Sequence, residues 1–379
     1  MGTAIVAQGG VSWQKGGPLR RRPSTIFRPH ALELGVGRPH VRVMTKAAAT
    51  LEAALRAAPP PVRDAMDDSE ILTYASPDDP LWKRWAMRAI EDLSGRRRLL
   101  PIYHAWRTEV AARDPRMMMN ELLLRIGTAL DIDAVGPWPA AVPAGTPLVM
   151  VANHPFGIGD GITMLALAEQ LGRPYRILIN SDFLKIPEIR HLALPIDFSE
   201  TREAVRTNIE SRNAARRLLK EGVTIVVFPG GGVATADKVP GVAEELPWKT
   251  FTARMIQQAE AAVLPVYFEG QNGPLFHLAS HYSLTVRLAL MVSELRKFID
   301  TAIPVHVGAV VPFSGLVHGH DRAELTRELY ARVQQLAPRA RHLPLAELTA
   351  RPAQERRRYP WDPPPRAVDG RDADRSAAE

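Results

Sequence analysis

Pro147-Leu148-Val149-Met150-Val151-Ala152-Asn153-His154-Pro155-Phe156-Gly157-Ile158-Gly159-Asp160-Gly161 decides the fold of this chain. Its first six residues are a short apolar run of the kind that makes a buried strand. Past the glycines, Ile162 to Leu171 reads as a helix. His154 therefore leaves the end of a strand, and Asp160 sits near the start of a helix. In open α/β sheets, ligands bind in the crevice outside the carboxyl ends of the strands.

The residue types in this turn belong together chemically. Imidazole titrates near neutrality and can take a proton from an attacking hydroxyl. A carboxylate on its other nitrogen fixes the tautomer and stabilises the imidazolium. Gly157 and Gly159 allow the tight bend that brings His154 and Asp160 together. Backbone N–H groups of Gly157, Gly159 and Gly161 can face an oxyanion at a helix start. A simpler reading makes the segment a strand-to-helix turn, with Asp160 as its cap and His154 at the surface.

Working outward, Val223 to Phe228 is a β-branched apolar run ending at Pro229 and the glycines Gly230, Gly231 and Gly232. It reads as a buried strand feeding an exposed loop, whose amides can approach an anion closely. Another strand-like stretch ends at Phe198, and a helix follows from Arg202 to Glu221. The Arg202 guanidinium offers paired donors that suit an acidic head group. The remaining arginines of that helix read as a solvated face. The segment around Pro265 reads as a core strand, and Thr285 to Asp300 as a packed helix.

Four blocks of this sequence resemble, in order, the glycerolipid (lysophospholipid) acyltransferase superfamily. They are Asn153-His154-Pro155-Phe156-Gly157 with Asp160-Gly161; Leu194 to Ser199 with Thr201-Arg202-Glu203; Val226 to Val233; and Val263 to Asn272. The chain is most similar to the hemolysin-like bacterial branch, which often has five residues between His and Asp, as here. The resemblance runs from about Leu93 to Pro312 and implies His154 as general base and Asp160 as its support. It also implies acceptor binding by Asn153, Arg202, Phe228, Pro229, Gly230, Gly231 and Gly232. The family commonly has Phe-Pro-Glu-Gly where this chain has Phe228-Pro229-Gly230-Gly231, so a carboxylate is missing at position 230.

The resemblance further implies an α/β fold, a mixed β-sheet flanked by helices, preceded by a helical N-terminal element. The implied reaction moves a fatty acyl group from acyl-CoA or acyl carrier protein to a lysolipid hydroxyl, without a cofactor. Two alternatives carry over: an amino-acid lipid acceptor such as lyso-ornithine lipid, and a lipid-binding protein without turnover.

Composition narrows the classes. The chain has 379 residues, formal charge +7 and no cysteine. It therefore makes no disulfide, thiolate nucleophile or cysteine metal site, which suits the cytosol. It shows no metal-ligand spacing, Walker loop or Gly-x-Ser-x-Gly elbow. The basic balance, without a nucleic-acid module, fits an anionic membrane surface, acyl-CoA or acyl carrier protein. No apolar run reaches the roughly 20 residues needed to span a bilayer. The expected place is the inner face of the cytoplasmic membrane, as a peripheral protein.

The expected organisation is an irregular extension over 1–43 (with Met44 as an alternative start), a helical element over 44–126, the acyltransferase domain over 127–350, and a disordered tail over 351–379. Asp79 to Ile126 reads as helices. There Trp82 and Trp85 alternate with basic residues, as on a helix lying on a membrane or on an amphipathic helix packed against the domain.

Overall fold

A computed structural model of the chain describes residues 26–27, 72–75, 79–110, 117–199 and 201–349. The helical N-terminal element consists of α1 (Leu81–Leu93), α2 (Arg96–Val110) and α3 (Met118–Arg125). Most of the expected 1–43 extension, residues 44–71 of the expected helical element (Met44 among them) and the 351–379 tail lie outside the described residues. The exception is a short strand β1 (Ile26–Phe27).

The apolar run at the centre of the sequence forms β3 (Leu148–Ala152), with all five residues fully buried. It lies inside an eight-stranded sheet of order β1-β2-β10-β9-β3-β6-β4-β5. The other strands are β2 (Ala129–Ala134), β4 (Tyr175–Asn180), β5 (Ala193–Ile196), β6 (Thr224–Val227), β9 (Ala262–Phe268) and β10 (Ala302–Val307). Strands β9, β3, β6, β4 and β5 are mutually parallel, while β10 runs antiparallel to β9 and parallel to β2. β1 adds antiparallel to β2. The sheet is therefore mixed, and its parallel part reads as continuous apolar runs because helices cover both faces.

Alternation along β3 shows those two faces. Leu148, Met150 and Ala152 pack with Met164 and Leu167 of α4 (Ile158–Gln170), Met118 and Met119 of α3, and Val292 and Leu295 of α8 (Leu284–Arg296). Val149 and Val151 pack with Ala215 and Leu219 of α5 (Arg202–Lys220), Ile256 of α6 (Phe251–Ala259), and Leu325, Leu329 and Val333 of α9 (Arg322–Gln335). Each large apolar side chain buried in this way contributes roughly 1.5–3 kcal/mol.

The strand order also places the site. After β3 the chain crosses α4 to β4, stepping over the position later filled by β6. After β6 it crosses α6 to β9 on the other side of β3. The crevice at such a reversal, beyond the carboxyl ends of β3 and β6, is where ligands bind in open sheets. Helix α5 begins where Thr201 accepts the Ala204 N–H at 3.1 Å, as the Thr-Arg-Glu sequence allows.

Helix α1 settles the reading of Trp82 and Trp85. It packs against α8, burying Met87 and Glu91, while Trp82 and Trp85 stay 73% and 75% exposed. The helix is both packed and rimmed by exposed tryptophan. Met150→Ala should lower unfolding free energy by about 2–5 kcal/mol through the cavity it leaves. Trp82→Ala should stay within about 0.5 kcal/mol of the parent protein. Urea denaturation of the two variants checks both values.

Candidate active site

His154 follows β3 by two residues, and Asp160 is the third residue of α4. The helix begins at Ile158, four residues earlier than its apolar pattern indicates. The early start carries Asp160 inward, where it is buried. His154 Nδ1 lies 3.0 Å from Asp160 Oδ2. The same oxygen accepts the Phe156 N–H at 2.8 Å and the Gly157 N–H at 2.9 Å. With the Nδ1 proton facing the carboxylate, Nε2 keeps its lone pair.

Burial pushes the Asp160 carboxyl above its ordinary range, opposed by the His154 bond and by the two backbone donors. Its place at the positive end of α4 also favours the charge. The His154 ring, with its side chain 17% exposed, stacks on Phe228 at 4.1 Å between centroids and 23° between planes. Phe228 arrives from the end of β6, whose Val227 pairs with Val151 of β3. Two parallel strands thus deliver the two stacked rings.

The glycines of the turn have distinct duties. Gly157 has φ of +81°, and a Cβ there would lie 2.0 Å from Met291 Cε and 3.1 Å from Val233 Cγ2. At Gly159 a Cβ would press on the Phe298 ring at 2.5 Å, whereas Gly161 has open space. The expected oxyanion donors are correspondingly reduced. The Gly157 N–H is taken by Asp160, and the Gly161 N–H by the Gly157 carbonyl at 3.1 Å. That leaves Gly159, in the first turn, where an α-helix supplies no internal acceptor.

The residues expected at the acceptor are used in different ways. Asn153 is buried, accepting the Phe268 N–H at 2.7 Å and donating to the Phe268 carbonyl at 2.9 Å. Its amide ties the end of β3 to the end of β9. Pro229 and Gly230 are buried, and Gly231 closes a turn by donating to the Phe228 carbonyl at 2.9 Å. A Cβ at Gly230 would lie 3.0 Å from the Leu246 carbonyl, and one at Gly232 would lie 2.6 Å from Leu246 Cδ1. The loop is glycine-rich because the chain around Leu246 crosses it so closely.

Arg202 is exposed at the first turn of α5, and no bond ties it to His154 or to the glycine loop. Lys249 lies beside that loop, its ammonium 5.4 Å above the Phe198 ring. A Cβ on Gly231 would come within 3.4 Å of that ammonium.

Sequence reasoning missed the segment that supplies Lys249. It runs between β8 (Ala243–Glu244) and α6, and it also brings Glu245 to the site. Glu245 Oε1 accepts the His154 N–H at 2.7 Å, and Oε2 accepts the Trp248 indole N–H at 3.2 Å. Although the residue keeps some exposed surface, burial of its carboxyl group pushes it from 4.5 up to about 7. The His154 carbonyl in turn accepts the Ala234 N–H at 2.9 Å. Glu245 and His154 are 91 residues apart, so no local spacing announces the pair.

A cavity of about 250 Å³ lies next to the turn, bounded by Phe156, Phe298 and Ile303, with Gln271, Glu294 and Lys297 at its polar side. Among the described residues, no group of three or more His, Cys, Asp or Glu side chains is arranged to hold a metal ion. No helix among them is long and apolar enough to cross a membrane.

Residues 139–269 match the acyltransferase family model. This segment is an acyltransferase domain. It starts ahead of β3 and ends just past β9, and so contains His154, Asp160, Phe228, Glu245 and Lys249. The four sequence blocks imply the same assignment, to the glycerolipid acyltransferase superfamily. Of the curated proteins, none matches the chain. Among solved structures, the chain is similar to the crystal structure of the 1-acyl-sn-glycerophosphate (LPA) acyltransferase PlsC from Thermotoga maritima. That match has 18% identity and a TM-score of 0.36, covering 72% of this chain and 83% of that one. A superposition so loose adds nothing to the assignment of the acyltransferase domain.

Replacement of the turn glycines separates their duties. Gly157→Ala should cost about 1–3 kcal/mol of stability, since its φ and ψ belong to a region nearly confined to glycine. Gly161→Ala, inside α4 with open space around it, should be neutral or stabilising by up to about 1 kcal/mol. Thermal unfolding of both variants reads the difference.

Proposed function

We propose that this protein transfers a fatty acyl group from a thioester donor, acyl-CoA or acyl carrier protein, to the hydroxyl of a lysolipid. The observation that carries the reading is the His154–Asp160 pair at 3.0 Å, placed beyond the ends of β3 and β6 within an acyltransferase domain. Nε2 of His154 takes the proton of the acceptor hydroxyl as its oxygen attacks the thioester carbonyl. The C–S bond breaks, an ester C–O bond forms, and the proton returns from the imidazolium to the departing sulfur. Thiols have pKa values near 8.5, so the sulfur leaves far more readily than an alkoxide would. With no cysteine in the chain, direct transfer is favoured over an acyl-enzyme.

Other features support parts of this reading. The cavity against Phe156 and Phe298 offers apolar walls for an acyl chain or a thioester arm. Lys249, beside the glycine loop, offers a positive charge to an acidic head group. The exposed Trp82 and Trp85 on α1, with Leu81 and Leu93, suit contact with a lipid interface, where tryptophan is favoured. Basic residues near an anionic leaflet each contribute about 1 kcal/mol. The reading therefore has the protein working as a peripheral protein on the inner face of the membrane.

The test is acyl transfer from long-chain acyl-CoA, and from acyl carrier protein, to lysophosphatidic acid and to lyso-ornithine lipid, followed by lipid mass spectrometry. Wild-type protein should acylate one of these acceptors, and His154→Ala should lose about 10²–10⁴-fold in rate, the usual contribution of a general base. Acylation of lyso-ornithine lipid alone would assign an amino-acid lipid as acceptor. Lipid binding without turnover under every pairing would contradict the reading.

A further inference from the structure

His154 is held at its main chain as firmly as at its ring, and both main-chain bonds come from outside the sheet and helices. Ala234, past the glycine loop, donates its N–H to the His154 carbonyl at 2.9 Å. Glu245 accepts the His154 N–H at 2.7 Å. Together these bonds fix the peptide planes on either side of residue 154. The bond to Asp160 and the stack on Phe228 then fix the ring. We propose that Glu245 is a positioning residue, whose carboxyl group clamps the main chain of His154 and so sets where the imidazole meets the acceptor.

Its bonding argues against a proton shuttle. Both oxygens are occupied as acceptors, Oε1 by His154 and Oε2 by the Trp248 indole. The ionised carboxyl group satisfies both donors. The titratable groups facing it are His154 and Asp160 from the turn after β3, with the Tyr267 hydroxyl within electrostatic range from β9. Burial favours the neutral acid, and the balance puts its titration at about 7. The sign follows directly. As pH falls through about 7, one oxygen gains a proton and accepts less freely while the other still accepts, so the clamp is complete above that pH and only partly weakened below it. Stability runs the other way: with the folded value raised above 4.5, this group favours folding below 4.5, and that contribution is lost as pH rises through 7.

The kinetic half of the test rests on the acyltransferase reading; the exchange half does not. In full-length protein, amide hydrogen exchange of His154 should speed up about tenfold or more in Glu245→Ala, while Val149 and Val151 in β3 keep their protection. In Glu245→Gln, which keeps an acceptor oxygen and roughly the same shape, exchange should stay within about threefold of wild type. Glu245→Ala should lower kcat about 10–100-fold with little change in KM, as expected when a catalytic group is displaced. Glu245→Gln should restore kcat to within about threefold and remove one ionisation from its pH profile near 7.

Unchanged His154 exchange in Glu245→Ala would overturn the clamp. So would a Glu245→Gln enzyme as slow as Glu245→Ala. If Glu245→Ala fails to fold, Glu245→Gln decides the matter through its exchange and pH profile, and a profile identical to wild type overturns the proposal. Should wild-type protein acylate nothing, the acyltransferase reading fails, and the exchange result still judges Glu245.

Discussion

One buried oxygen, Asp160 Oδ2, holds the site together. It takes three donors, the His154 ring and the N–H groups of Phe156 and Gly157. Burying a carboxylate is costly unless donors replace the lost water. These three, with the positive end of α4, offset part of that cost, while Oδ1 is buried without a partner and burial still holds the carboxyl above its ordinary range. The turn is therefore folded around that carboxyl group, and its Oδ2 orients the histidine. Gly157 makes this possible: only a residue without Cβ passes Met291 and Val233 at φ of +81°. That carboxyl group orients the imidazole from the Nδ1 side, while the Phe228 stack and the main-chain bonds to Glu245 and Ala234 fix the rest of the residue.

The sheet gives this turn a rigid base. β3 lies between β6 and β9 with every side chain buried. Asn153 fastens its end to Phe268 of β9, and Phe228 from β6 supplies the surface on which the imidazole lies. A general base gains from being held in place before the substrate arrives, because misplacement costs rate steeply. Interior packing on both faces of the sheet resists such displacement.

Much of this was legible in the sequence, for identifiable reasons. The run from Pro147 to Ala152 and the run from Val223 to Phe228 are short, apolar and bounded by turn residues, and both are central parallel strands. The His154–Asp160 pair is local, so its spacing could be read directly. What escaped reading is non-local. Glu245 and Lys249 come from a loop with no periodic pattern, and they meet the site only because the chain folds back over the glycines. The glycine loop was legible as a loop, but its purpose, passage under Leu246, was not. Arg202 is a different case: its chemistry suits an acidic head group, and a helix start capped by Thr201 leaves its side chain exposed to solvent. Gly161 was grouped with its neighbours by spacing alone, although nothing crowds it.

The most direct test of the central claim is the steady-state kinetics of Asp160→Asn on the acceptor that the wild-type protein uses. An amide keeps the size of the side chain but removes the charge that fixes the histidine tautomer. The account predicts a fall in kcat of about 10²–10⁴-fold with KM little changed, since the support acts on the base rather than on binding. A variant that turns over at the wild-type rate would contradict it, because the buried carboxylate would then hold the turn without serving the chemistry.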